Sequence, residues 1–197
     1  RKEETFLSKK ILIQRVSSRL VCAYDDENYY TFNSINNLVL KQENSYSLHL
    51  LLGILNSHLI DFFYRRNYSL DANYTITVTK TNLDSLPIPH WSENNPLLQG
   101  TITLVCKVID LNKKNVFLKN SFLNLIINKF DILKPTSNLK NWYSLESNEF
   151  LKEFKKMKIQ ISLNQEAELL QYFNEQKNNA MNLNIEIEKL ESEINKL

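Results

Sequence analysis

Cations interleaved with amides and hydroxyls recur at two places in this chain of 197 residues. Lys9, Lys10, Arg15, Ser17 and Arg19 lie along one β-prone stretch, and Arg65, Arg66, Asn73, Thr77 and Lys80 lie in another. Lys and Arg neutralise phosphates, while Arg forks, amides and hydroxyls match the donors and acceptors of base edges. Residues of these types on one surface would bind and read a nucleic acid. Arg15, Ser17 and Arg19 share a face if the chain stays extended, because side chains alternate along a strand. Arg65 and Arg66 close a helix, where a cation also offsets the C-terminal dipole, so capping and phosphate contact are both open to them. Tyr24, Tyr29 and Tyr30 could stack on bases or touch sugars, although the commoner use of such residues is a β-sheet core.

Catalytic chemistry is harder to find. Gly53 and Gly100 are the only glycines, too few for a Gly-rich phosphate cradle. His49, His58 and His90 have no metal-ligand spacing to Cys or to one another, and the two on the Leu-rich stretch read as structural. Glu153-Phe-Lys155 with Asp131 upstream resembles a nuclease Asp…Glu-x-Lys set, but the surrounding pattern is helical and lacks the core strand such a site needs. No serine stands in a nucleophile-elbow context. Cys22 and Cys106 are neither a disulfide framework nor a zinc spacing, which points to reduced, buried thiols and a cytoplasmic protein. No signal peptide opens the chain, and no run of about 18 apolar residues marks a membrane span. With no initiator Met and an ending inside a repeating pattern, the chain reads as a piece of a larger protein.

The positioning elements follow from periodicity. Lys9–Val16 and Arg19–Tyr24 read as strands joined near Ser17–Ser18, Asn28–Phe32 is β-prone, and Leu38–Leu40 adds a short strand. Ser45 or Ser47 caps a helix whose apolar face includes Leu48, Leu51, Leu52, Leu55, Leu59, Phe62 and Phe63, with Gly53 marking a close approach. Thr-Ile-Thr-Val-Thr within Asn73–Thr79 alternates as a strand does, and Pro87 and Pro89 mark a domain edge. Beyond it Leu97–Leu111, Phe117–Phe130 and Ser147–Lys156 read as helices, the last capped by Ser147. Leu169, Phe173, Gln176, Ala180, Leu183, Ile187, Leu190, Ile194 and Leu197 alternate steps of 4 and 3, a heptad seam that calls for a helix partner for 169–197. The expected architecture is α+β: a sheet-containing recognition domain at 1–90, a helical region at 91–160 and a long terminal helix at 161–197. Net charge is +2 overall. It gathers at 91–165, with 11 Lys/Arg against 6 Asp/Glu, and reverses at 166–197, with 3 against 7.

The order of segments carries more. Lys9–Asp26 with its Ala23-Tyr-Asp25, the Asn33-Ser-Ile35 turn, Leu55-Asn-Ser57 followed by Phe62-Phe63-Tyr64, and Leu86-Pro-Ile-Pro89 resemble, in that order, the target-recognition region of TaqI-like adenine-specific DNA methyltransferases and type IIG restriction–modification enzymes. Asn141 to Leu145, Glu149 to Lys152 and the Glu-rich terminal helix resemble the C-terminal helical region of type IIG enzymes. The resemblance implies that this chain binds double-stranded DNA and fixes the target site. An upstream methyltransferase domain or subunit would then bring S-adenosylmethionine, and in some members an endonuclease. That catalytic domain needs an Asn/Asp-Pro-Pro-aromatic motif, and here the prolines stand apart at 87, 89, 96 and 135. Because base contacts in the family vary with specificity, no reader residue carries over from it. The rival expectations are a stand-alone specificity subunit and a coiled-coil interaction scaffold.

Overall fold

Ile11 and Ile13 are completely buried because their strand is the middle one of three. The computed structural model describes residues 2–40, 47–68, 75–89 and 95–196. The chain forms two compact units, Arg1–Ile109 with Leu190–Leu197, and Asp110–Lys189.

The first unit begins with a short helix, α1 (Lys2–Leu7), then β1 (Lys10–Gln14). β1 pairs antiparallel with β3 (Cys22–Asp25) on one side and β4 (Ile35–Leu38) on the other, with Ile13 opposite Cys22 and Gln14 opposite Ile35. Between β1 and β3 the chain leaves this sheet to form β2 (Val16–Ser17), which pairs with β5 (Ile76–Thr77). The β-prone stretch Asn28–Phe32 is not a strand. Asp25 accepts the backbone N–H groups of Glu27 (2.9 Å) and Tyr29 (3.1 Å), Asn28 takes a left-handed φ of 60°, and Tyr29, Tyr30 and Phe32 end exposed in a loop.

The single Leu-rich helix expected from periodicity is two, α2 (Leu48–Leu55) and α3 (His58–Tyr68). Leu50, Leu51, Leu52 and Leu55 are buried from the first, Ile60 and Tyr64 from the second, while Leu59 and Phe62 face solvent. The break at Asn56–Ser57 therefore resets the apolar face. Ser57 starts α3, its hydroxyl accepting the Ile60 N–H at 3.2 Å. Gly53 does mark a close approach: a Cβ there would sit 2.8 Å from a methyl of Val105 on α5 (Pro96–Lys129). α4 (Lys80–Asp84) is capped by the Thr79 hydroxyl, which accepts from the Asn82 N–H.

In the second unit α5 continues without interruption where the sequence reads as two helices, since residues 112–116 hold neither Gly nor Pro. It is followed by α6 (Ser137–Lys140), a 3-10 turn (Trp142–Ser144), α7 (Ser147–Lys156) and α8 (Leu163–Ile194). Within this unit α5 and α8 run antiparallel, as the contacts Asn115–Asn184 (2.6 Å) and Phe122–Phe173 (ring centroids 6.3 Å apart) require. Leu169, Phe173, Ala180 and Ile187 of the heptad seam are buried. Glu146, not Ser147, caps α7, and its N–H donates to the Glu149 carboxylate at 2.9 Å.

Glu153 is a structural residue of this unit. Its buried carboxylate accepts from Thr136 (2.6 Å), Asn138 (3.1 Å) and Lys156 (2.6 Å). Burial acts to raise its pKa, but these hydrogen bonds outweigh it and hold the group below the usual carboxylate range. Asp131 and Lys155 are exposed, and Asp131 lies in a left-handed turn with φ 47°. No described helix is long and apolar enough to cross a membrane.

Candidate nucleic-acid interface

Four side chains of the α2–α3 region fasten the segment between β1 and β3 and its partner β5. Asn56 meets the free edge of β3 with both ends of its amide, accepting from the Cys22 N–H and donating to the Cys22 carbonyl, each at 3.0 Å. Asp61 accepts the Leu20 N–H at 2.7 Å. Arg65 donates to the Ser18 carbonyl at 2.5 Å, with its Nε 3.1 Å from the Asp61 carboxylate. Tyr64, completely buried, donates its hydroxyl to the Thr77 carbonyl at 3.1 Å. The Asn-Ser pair inside an apolar run is thus a joint between helix and strand. Replacing Asn56 by Ala should cost about 2–4 kcal/mol, because two backbone groups of Cys22 lose their partner at once. Denaturant unfolding measures this, and a loss under 1 kcal/mol would show that the amide is dispensable.

The β2–β5 ribbon is rooted equally firmly on its other side. The Arg15 guanidinium donates to the Asn33 carbonyl at 2.8 Å, and its backbone carbonyl accepts the Val78 N–H at 2.7 Å. The Asn36 amide donates to the Val78 carbonyl at 3.0 Å. Ile76 and Val78 are turned inward with 1% and 0% of their surface exposed. Strand alternation then turns Thr75 and Thr77 outward, and both are exposed. Val16 lies directly opposite Thr77 and shares its outward face, whereas Ser17 lies opposite Ile76 on the other. The Ser17 hydroxyl donates to the Arg19 carbonyl, and the chain bends at Ser18–Arg19. The extended path that would align Arg15, Ser17 and Arg19 on one face is therefore not taken.

The structure sorts the cations by use. Arg15 and Arg65 hold backbone carbonyls. The side chains of Arg19, just beyond β2, Arg66, in the last turn of α3, and Lys80, at the start of α4, are exposed without a hydrogen bond or ion pair to a described residue. Lys10 is not available at all, being buried against Asp25 at 2.6 Å. Lys9 is exposed at the opposite end of β1, about 20 Å from Arg15 by the rise of a strand, and close enough to His49 to lower its pKa alongside burial, the larger cause. The His49 ring lies 4.7 Å from that of Tyr24. Asn73 falls outside the described residues. Burial pushes the Cys22 thiol up to about 12, which leaves it unreactive. Among the described residues no group of three His, Cys, Asp or Glu is placed to hold a metal ion.

Asp61 and Val16 belong to this region without having stood out individually in the sequence. Asn56 had a usable signal, a turn-forming residue interrupting an apolar period. Val16 had none.

Residues 1–88 match the TaqI-like C-terminal specificity domain, and this match supports a recognition module of a DNA-modification enzyme in this part of the chain. Residues 97–197, just over half of the chain, match a domain of unknown function (DUF8810), and the chain belongs to that family. No curated protein matches it.

Proposed function

We propose that this chain is the DNA-sequence recognition part of an adenine-specific DNA methyltransferase or a type IIG restriction–modification enzyme. In this reading it binds duplex DNA and positions the target site for a catalytic domain carried elsewhere, which supplies S-adenosylmethionine and the methyl transfer. The observation that carries the reading is the pairing of Val16 with Thr77, which joins the two cation-bearing segments of the sequence in one ribbon. A two-stranded ribbon fits the major groove of B-DNA, where all four base pairs are distinguishable. Arg19, Arg66 and Lys80 serve as phosphate contacts at its margins, Thr77 and Asn73 as base readers, and Arg15 and Arg65 hold the ribbon in place.

The test uses the intact enzyme and its own recognition site. Arg66→Ala or Lys80→Ala should weaken binding to every sequence alike and flatten the slope of log K against log[salt] by about 0.9 per lost contact. Thr77→Ala should cost roughly 1–3 kcal/mol at one base position and leave that slope intact. Arg65→Ala should lower the melting temperature without changing which bases are preferred. If none of the exposed positions alters DNA affinity, the salt slope or the methylation pattern, DNA is bound elsewhere.

A further inference from the structure

We propose that Val16 determines specificity by contacting a pyrimidine C5-methyl group, that of thymine, in the major groove. This rests on the reading that the β2–β5 ribbon meets DNA. Val16 has 56% of its surface exposed, on the face it shares with Thr77 and Thr75. The ribbon cannot turn this side chain inward. Its other face is committed by Ile76 and Val78, which are buried, and a slip of one residue would expose that pair. Val16 therefore leaves more than half of its apolar surface outside the core, on a short strand where exposed positions usually carry charge or polarity.

In the major groove the C5-methyl of thymine is the one methyl group that the four bases present among the donors and acceptors. A β-branched side chain is stiff about χ1, so the two methyls of Val16 are held in fixed directions. The Thr77 hydroxyl stands beside them for an adjacent base edge. Arg19 follows β2 and Lys80 follows β5 by three residues, and their exposed side chains lack partners among the described residues, so both are available to phosphates beside the ribbon. 5-Methylcytosine carries the same methyl in the same place and is the second source of this chemistry.

The experiment takes the intact enzyme and its recognition site, replacing each thymine in turn by uracil. Binding by the unaltered enzyme should fall at one position by about fourfold, the ~0.8 kcal/mol of one buried carbon group. Val16→Ser, which removes both γ-methyls from an exposed position, should abolish that preference while the salt slope stays unchanged and stability changes by no more than about 0.5 kcal/mol. At the same position a C·G pair should bind about fourfold better when its cytosine carries the 5-methyl group, again only with Val16 present. The proposal is overturned if uracil is tolerated at every position, if the site holds no thymine, if the methyl on cytosine brings no gain, or if Val16→Ser keeps the same sensitivity. Failure of the underlying reading looks different: Thr77, Arg66 and Lys80 replacements would then leave DNA binding untouched as well.

Discussion

Asp25→Ala should destabilise the first unit by about 3–5 kcal/mol, because it leaves a buried ammonium without its counter-charge. Lys10 Nζ lies 2.6 Å from Asp25 Oδ2, with side-chain exposures of 0% and 1%. The ammonium also donates to the Phe6 carbonyl at 2.7 Å, so it ties the C-terminal end of α1 to the sheet. The carboxylate is equally engaged, receiving the Glu27 and Tyr29 N–H groups that shape the aromatic loop. Without it the charge remains buried and the loop loses both anchors. Lys10→Met combined with Asp25→Ala should recover part of the loss, since the unpaired charge is gone while the loop anchors are still missing. Urea unfolding of the unaltered protein and the two variants checks this. Equal stability of the single and double variants would mean that Lys10 reaches water once Asp25 is removed.

The second large effect is expected at Phe122, where Ala should cost the second unit about 3–5 kcal/mol. Phe122 is 1% exposed and has the rings of Trp142, Phe150, Tyr172 and Phe173 around it, with centroids 4.0, 5.9, 5.6 and 6.3 Å away. Its loss opens a cavity between elements fixed by other bonds, since the Trp142 indole donates to the Lys119 carbonyl at 3.1 Å and cannot swing in freely. The same replacement at Phe117, 74% exposed on the same helix, should change stability by no more than about 0.5 kcal/mol. Thermal melts of the pair provide the comparison, and similar melting temperatures would remove Phe122 from the core.

Local pattern made the inward and outward residues of Thr75–Val78 readable, because strand alternation depends on nothing outside the segment. The family resemblance likewise led to the recognition module that residues 1–88 match. The joint at Asn56 was marked only by a turn-forming residue; apolar spacing runs straight across it, and the partner that makes it a joint is the distant backbone of Cys22. α5 reads as two helices because residues 112–116 offer little apolar signal, yet a helix face turned to solvent needs none. The exposed Tyr29 and Tyr30 were misjudged for the converse reason: aromatic content suits a strand, and two backbone hydrogen bonds to Asp25 override it. At the candidate interface the residue types were visible but their use was not. Whether an arginine meets a phosphate or a carbonyl depends on where Ser18 and Asn33 lie, which only the assembled fold decides.

The first unit also includes Leu190–Leu197, with Ile194 against Gly53 and the Asn195 amide oxygen accepting the His58 N–H at 2.8 Å. On a ribosome, domains generally fold in the order in which they are made. Here the order of completion is reversed. Asp110–Lys189 has all its residues once Lys189 has been added, while the unit begun earlier must still wait for Ile194 and Asn195. α2 and α3 therefore stand without the last pieces that cover them until Asp110–Lys189 has been made, and of the two units the one begun first is finished second.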